Sequence, residues 1–150
     1  VHEHELVTDA VRDQLTPLAA SIRTGTRTVR RLATVQHLRT PIQATLNRDE
    51  HVLSLVEALH PTPAVGGLPP DAALRTIRET EGLNRGGYAA PVGCCDAGGD
   101  GAFGDAIRSA LAREDAATLL AGGVIVGDSD PDSKWDKLQL KYRPVMDELE

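Results

Sequence analysis

Three short stretches contain residue types that could do chemistry. Arg108, within AIRSA, carries a planar guanidinium fork that suits a carboxylate, and a solvated strand arginine is the alternative. HPTPAVGG at residues 60–67 is more than a helix stop, which would need only Pro61 and Gly66. HEH at residues 2–4 contains metal-ligating types, but neighbouring helix residues point in different directions. Taken alone, Arg108 is more readily a solvated strand arginine, and HEH does not by itself make a transition-metal site.

The composition excludes several function classes. The 150 residues are 41% hydrophobic and 25% charged, which is ordinary for a soluble protein and predicts one domain over 1–150. A net charge of -6 without a basic patch argues against nucleic-acid binding, and no apolar run is long enough for a membrane span. Cys94 and Cys95 are adjacent, so we expect free thiols and a cytoplasmic location.

Helical periodicity and capping residues predict four helices. Residues 3 to about 21 carry one apolar stripe, and Asp49 could cap a helix at 50–59. Pro70 opens a helix to about Glu79, and Ser129 or Asp130 caps the last helix. In that last helix we expect Trp135 and Leu138 to face the core and Pro144 to kink or end it.

Strand patterns occupy the remaining segments. Residues 26–46 predict two strands, the second of which is interrupted by Pro41. Residues 88–97, 101–114 and 116–126 predict a three-stranded meander whose first turn is the glycine-rich AGGDG. The predicted class is α+β, with an antiparallel sheet flanked by helices.

The order of these segments resembles the C-terminal part of the chorismate-binding enzyme family, and most closely its isochorismate synthase branch. The resemblance runs from Glu3 to about Leu149, through the segments HEHELV, VQHLRTPI, LHPTPAVGG, RGGYAAPVG, DGAFGDAIRSAL, AGGVIV and SDPDSKW. It implies the C-terminal portion of that family's α/β sandwich. It also implies the magnesium-dependent isomerisation of chorismate, a ring with two carboxylates and a hydroxyl, to isochorismate.

The resemblance implies a set of substrate-binding residues. Arg108 would bind a carboxylate, and Gly122 would begin a turn whose backbone N–H groups hold another. The loop that contains Thr62 and Ala64 would cover the ring where water approaches. The full set implied is His37, Thr62, Ala64, Tyr88, Arg108, Gly122 and Lys141. Val124 stands at the family's third turn glycine, which predicts strain if φ there is positive.

The same resemblance makes the metal site and the catalytic groups incomplete. Glu3 matches a metal carboxylate of the family, but Lys134 and Lys137 occupy the other two metal positions. Magnesium prefers oxygen ligands and repels an ammonium, so magnesium binding is not expected to follow the family. The general-base lysine and general-acid glutamate of the family lie before the first matched segment, in an N-terminal half that this chain lacks.

These features lead to one hypothesis and two alternatives. The first is a C-terminal fragment, or degenerate copy, of an isochorismate synthase that is inactive on its own. The second is a non-catalytic protein that binds chorismate, isochorismate or a similar anion, or that pairs with a separate N-terminal half. The third is a salicylate-forming relative. Menaquinone and siderophore synthesis are both open as pathways. Because half of the sheets would be missing, we expect apolar helix faces without partners.

Overall fold

The computed structural model describes residues 2–31 and 36–149. Residues 32–35, within the predicted strand region 26–46, lie outside the described residues. The described helices are α1 (His2–Leu15), α2 (Val52–Leu59), α3 (Pro63–Gly66), α4 (Pro70–Thr80) and α5 (Pro131–Met146). The described strands are β1 (Ala19–Thr24), β2 (Thr28–Arg31), β3 (Gln36–Arg39), β4 (Ile42–Leu46), β5 (Pro91–Cys95), β6 (Gly101–Asp105), β7 (Ser109–Arg113) and β8 (Ala116–Leu120).

The strands form antiparallel pairs, which confirms the α+β class. β1 pairs with β4 around the β2–β3 hairpin, and β5–β6 and β7–β8 are hairpins. The predicted three-stranded meander is wrong in its last two strands. After β6, the N–H of Ala106 bonds back to Ala90, and Arg108 adopts a left-handed φ of 52°. That turn starts a separate hairpin, because a left-handed residue cannot continue an extended strand.

The AGGDG turn between β5 and β6 forms where the sequence predicts it. Asp96 Oδ1 accepts hydrogen bonds from the backbone N–H groups of Gly98 and Asp100, at 2.9 and 3.0 Å. Gly99 has a φ of 94°, which a side chain would disfavour. The predicted location of this hairpin is therefore confirmed.

The first helix ends earlier than its apolar stripe predicts. α1 stops at Leu15, a 3₁₀ turn covers Thr16–Leu18, and β1 follows. Pro17 lacks an N–H group and its ring would clash with the carbonyl group four residues earlier, which disfavours continuation of the α-helix. The prediction of a helix to residue 21 is therefore wrong, because it followed the apolar spacing past Pro17.

The helix caps follow local side-chain chemistry. Asp130 Oδ1 accepts from the N–H of Ser133 at 2.8 Å, which confirms one of the two predicted caps of α5. α2 is capped by His51 Nδ1, which accepts from the N–H of Leu53 at 3.2 Å, and not by Asp49. α5 continues past Pro144 to Met146, so an end of the helix at Pro144 is wrong.

The chain exposes far more surface than a compact protein of its size. The accessible area is 10954 Å², whereas a compact 16.0 kDa monomer would expose about 7,400 Å². Leu15 and Ala89 are buried, but Trp135, predicted to face the core, is 62% exposed. The expectation of apolar faces without partners is therefore confirmed for the described residues.

The structure also bears on the predictions for the two cysteines and for membrane spans. Cys94 and Cys95 are free thiols, as predicted, and both are exposed on β5. Among the described helices, none is both long enough and apolar enough to cross a membrane.

Candidate substrate site

Arg108 lies at the centre of the site, in the link between β6 and β7 and not within a strand as expected. Its Nη2 atom is 3.1 Å from Nε2 of His37 on β3, 71 residues earlier in the chain. An arginine can only donate, so this contact requires His37 Nε2 to be an acceptor and the imidazole proton to sit on Nδ1. His37 thereby orients one edge of the guanidinium.

Lys141 reaches the same place from α5. Its Nζ atom donates to the carbonyl oxygen of Gly122 at 2.7 Å. Burial lowers the pKa of Lys141, the cations Arg108 and Lys134 lower it further, and the carboxylate of Glu3 acts in the opposite sense. These four charged side chains are therefore close enough to share one electrostatic environment.

The turn after β8 lies directly against Tyr88. A Cβ atom on Gly122 would fall far inside van der Waals contact with the Tyr88 hydroxyl oxygen, so this position accommodates only glycine without movement. The strand predicted to run to residue 126 ends at Leu120, since the two glycines at 122 and 123 weaken strand pairing. Neither they nor Val124 have a left-handed φ, so the expected strain at Val124 is absent.

Glu3 and Lys134 meet where the family resemblance places a metal. The Lys134 Nζ atom donates to Glu3 Oε1 at 2.9 Å and to the carbonyl oxygen of Val124 at 2.7 Å. Lys137, three residues further along α5, is exposed. Within residues 2–31 and 36–149, no three His, Cys, Asp or Glu side chains cluster as metal ligands would. The residues present do not fit a divalent ion, because an ammonium occupies the carboxylate of Glu3.

The loop at 60–67 is joined to this site through Arg85. Its Nη1 atom donates to the carbonyl oxygen of Val65 at 2.9 Å, and its guanidinium lies 5.7 Å from the centre of the Tyr88 ring. Arg85 also pairs with Glu81, and that hydrogen bond lowers the pKa of Glu81. Arg85 therefore couples the loop to Tyr88, which in turn lies against Gly122.

The two loop residues expected to bind substrate occupy different positions in that loop. Thr62 precedes α3 and its carbonyl oxygen accepts from the N–H groups of Val65 and Gly66, at 3.0 and 2.8 Å. Ala64 is exposed on α3. An open groove of about 210 Å³ begins at this loop, and its lining includes His60, Pro61, Val65, Leu74, Arg85 and Tyr88.

The structure thus brings together five of the seven expected substrate residues, namely His37, Tyr88, Arg108, Gly122 and Lys141. Thr62 and Ala64 reach this group only through Arg85, which sequence reasoning missed. The signal for Arg85 is weak: Glu81 and Arg85 have the four-residue spacing of a helical ion pair, yet α4 ends at Thr80.

Comparison with known proteins gives consistent matches along the chain. The family model for chorismate binding enzymes matches residues 1–150. A salicylate biosynthesis isochorismate synthase of Pseudomonas aeruginosa is 46% identical over 149 residues, which are 99% of this chain and 31% of that protein. Isochorismate synthase MenF of Bacillus subtilis is 46% identical over 115 residues, which are 77% of this chain and 24% of MenF.

A solved structure supports the fold in the same way. DhbC of Bacillus anthracis, described as a 2,3-dihydroxybenzoate-specific isochorismate synthase, superposes with a TM-score of 0.93 at 30% identity. The superposition covers 99% of this chain and 40% of DhbC. The chain therefore spans between about a quarter and two fifths of the length of these three proteins, consistent with a C-terminal part of them.

Proposed function

Because this chain belongs to the chorismate-binding enzyme family, we propose that it supplies the carboxylate-binding half of an isochorismate synthase site. Its ligand would be chorismate or isochorismate, each a dicarboxylate. The resemblance implies a catalytic acid and base that belong to an N-terminal half. We therefore expect the 150-residue chain to bind its ligand without turning it over.

One observation carries this proposal: Lys134 and Lys141 bond the same 122–124 turn beside Glu3, and the charge of Arg108 acts on Lys141. Arg108, Lys134 and Lys141 share an electrostatic environment with Glu3, which leaves an excess of two positive charges in a chain of net charge -6. Mutual repulsion and burial make such a cluster unfavourable unless an anion neutralises it. A dianion with two carboxylates would match it in charge.

The geometry suggests a role for each group. Arg108, held by His37, would bind one carboxylate with its fork. Lys141, fixed on the carbonyl oxygen of Gly122, would hold the second beside the backbone of the 122–124 turn. Tyr88 would offer its hydroxyl group next to that turn. The loop that contains Thr62 and Ala64 would cover the ring of the ligand.

Calorimetric titration of the chain with chorismate tests the proposal. Arg108→Gln should weaken binding about tenfold or more, since it removes a charge-assisted hydrogen bond. The matched control is Arg113→Gln, because Arg113 is an exposed arginine at the end of β7. Equal affinities for these two variants would refute the assignment of Arg108.

A second candidate, a non-catalytic anion-binding protein, is favoured by the contact of Lys134 with Glu3. A fusion separates the two candidates: this chain replaces the matching third of the Pseudomonas aeruginosa protein. Conversion of chorismate to isochorismate or salicylate by the fusion would support the first candidate, part of an enzyme site. Chromatography identifies which product forms. Binding of chorismate by the fusion without conversion would support the second candidate, a non-catalytic anion-binding protein.

A further inference from the structure

Lys134 is held in a way that an ordinary surface lysine is not. It lies on α5, and its ammonium crosses to Glu3 on α1, 131 residues earlier in the sequence. A second hydrogen bond, of 2.7 Å, goes to the carbonyl oxygen of Val124 beside the glycine turn. The side chains of Lys134 and Glu3 keep only 27% and 42% of their exposure. Two anchors therefore fix the ammonium at the edge of the candidate site.

The hydrogen-bond capacity of this ammonium is only partly used. A lysine ammonium has three N–H donors and no acceptor. Among the described residues, Lys134 Nζ donates to two oxygens, Glu3 Oε1 and the carbonyl oxygen of Val124. One N–H group thus remains for a ligand. Lys134 bonds the carbonyl oxygen of Val124 and Lys141 bonds that of Gly122, so the two ammonium groups lie against the same short turn.

We propose that the ammonium of Lys134 takes the place of the divalent cation, so that this site binds its carboxylate ligand without a metal. This inference rests on the proposed function and adds how the ligand is held. Glu3 and the carbonyl oxygen of Val124 hold the ammonium in place. A carboxylate of the ligand accepts a hydrogen bond from the remaining N–H group. The lysine ammonium carries one positive charge at a fixed position and makes hydrogen bonds of ordinary length. A magnesium ion would carry two positive charges and hold its oxygen ligands at a shorter distance.

The consequence is a reversed requirement for magnesium. In a metal site, protein carboxylates bind the metal ion, and the anionic ligand binds to that ion. Here the ammonium already neutralises Glu3, and an added cation would be repelled by Lys134 at close range. Ligand affinity should therefore be the same in magnesium and in a chelator.

The test is calorimetric titration with chorismate, in magnesium and in EDTA, of wild type and of Lys134→Glu. Wild type should bind equally in both. Lys134→Glu places a second carboxylate beside Glu3, and it should bind about tenfold or more weakly in EDTA and recover in magnesium. Titration with magnesium alone should give heat with Lys134→Glu and none with wild type.

The matched control is Arg143→Glu, an identical charge change at an exposed position in the last turn of the same helix. It should acquire no magnesium binding, because Lys134 still occupies Glu3. If the isolated chain gives no folded spectrum, the same variants are measured in the Pseudomonas aeruginosa fusion, in which the rest of the domain is present.

The outcomes separate the two claims. Wild-type binding that requires magnesium would overturn the metal-independent site and leave the proposed function standing. Equal magnesium binding by Lys134→Glu and Arg143→Glu would also overturn it, since the effect would then follow net charge alone. No binding of chorismate in either buffer, by chain and fusion alike, would overturn the proposed function and this inference together.

Discussion

The contact between Gly122 and Tyr88 makes the substitution Gly122→Ala a sharp test of the site geometry. A Cβ atom at residue 122 would meet the Tyr88 hydroxyl oxygen far inside van der Waals contact. Carbon atoms and their neighbours are most favourable at about 3.5–4.0 Å, so the phenol must retreat by roughly 1 Å or more. Tyr88 is half-buried and lies beside Arg85, which limits this movement.

The expected cost follows from overpacking. Inserting a methyl group that forces a neighbour to shift typically costs about 1–3 kcal/mol. For a protein of about this length, that corresponds to a fall in Tm of about 2–12 °C. Because the displaced phenol borders the proposed ligand site, chorismate affinity should fall about tenfold as well.

The neighbouring glycine provides the control. A Cβ atom on Gly123 would lie 3.6 Å from Lys141 Nζ, an ordinary contact, and neither glycine has a left-handed φ. Gly123→Ala should therefore change stability by less than about 0.5 kcal/mol, or raise it slightly by restricting the unfolded chain. Thermal unfolding followed by circular dichroism and chorismate titration of both variants is the assay. Equal effects of the two substitutions would refute the close contact.

Two other predictions concern the loop anchor and the site lysine. Arg85 bonds Glu81 through Nε and Nη2 and the carbonyl oxygen of Val65 through Nη1, a fork that Arg85→Lys removes. Hydrogen exchange of the Val65 amide should therefore accelerate about tenfold, with exposed Arg78→Lys as the control. An unchanged exchange rate would contradict that anchor. The lowered pKa of Lys141 means that the unfolded chain holds its proton to higher pH, so unfolding free energy should rise with pH towards about 10.4. Urea unfolding at pH 8, 9 and 10 should show this rise in wild type relative to Lys141→Met, and parallel curves would contradict it.

Local chemistry made part of the fold predictable. The start of α4 at Pro70 and the Asp130 cap of α5 depend on residues within one helical turn, and both were predicted from sequence. The AGGDG hairpin likewise depends on glycine and aspartate side by side. In each case the residues that decide the structure are adjacent in sequence, so a pattern can reveal them.

Features set by distant partners were not predictable in the same way. The pairing of Glu3 with Lys134 joins opposite ends of the chain, and no local pattern signals it. Arg108 has a left-handed φ between β6 and β7, so the predicted strand 101–114 is divided between two hairpins with different partners. Trp135 has the spacing of a core residue but is exposed, since the described residues place nothing over it.

Most of the candidate site residues came from the resemblance, and the structure added their geometry. The resemblance named Arg108, His37 and Lys141, and the structure shows how they converge from β3, the β6–β7 link and α5. Arg85 was missed, because its role depends on the position of Val65. Lys134 at a metal position of the family indicated an altered site, but the sequence did not show that its ammonium contacts Glu3.

The most direct test of the central claim is an amide NMR titration of the chain with chorismate in EDTA. We expect dispersed peaks and saturable shifts at Arg108, Gly122 and Gly123, with the exposed β5–β6 turn unaffected. The Pseudomonas aeruginosa fusion serves for the same titration if the isolated chain gives collapsed peaks. Shifts that occur only after magnesium is added, or that avoid the 122–124 turn, would contradict a carboxylate site built from this chain's own cations.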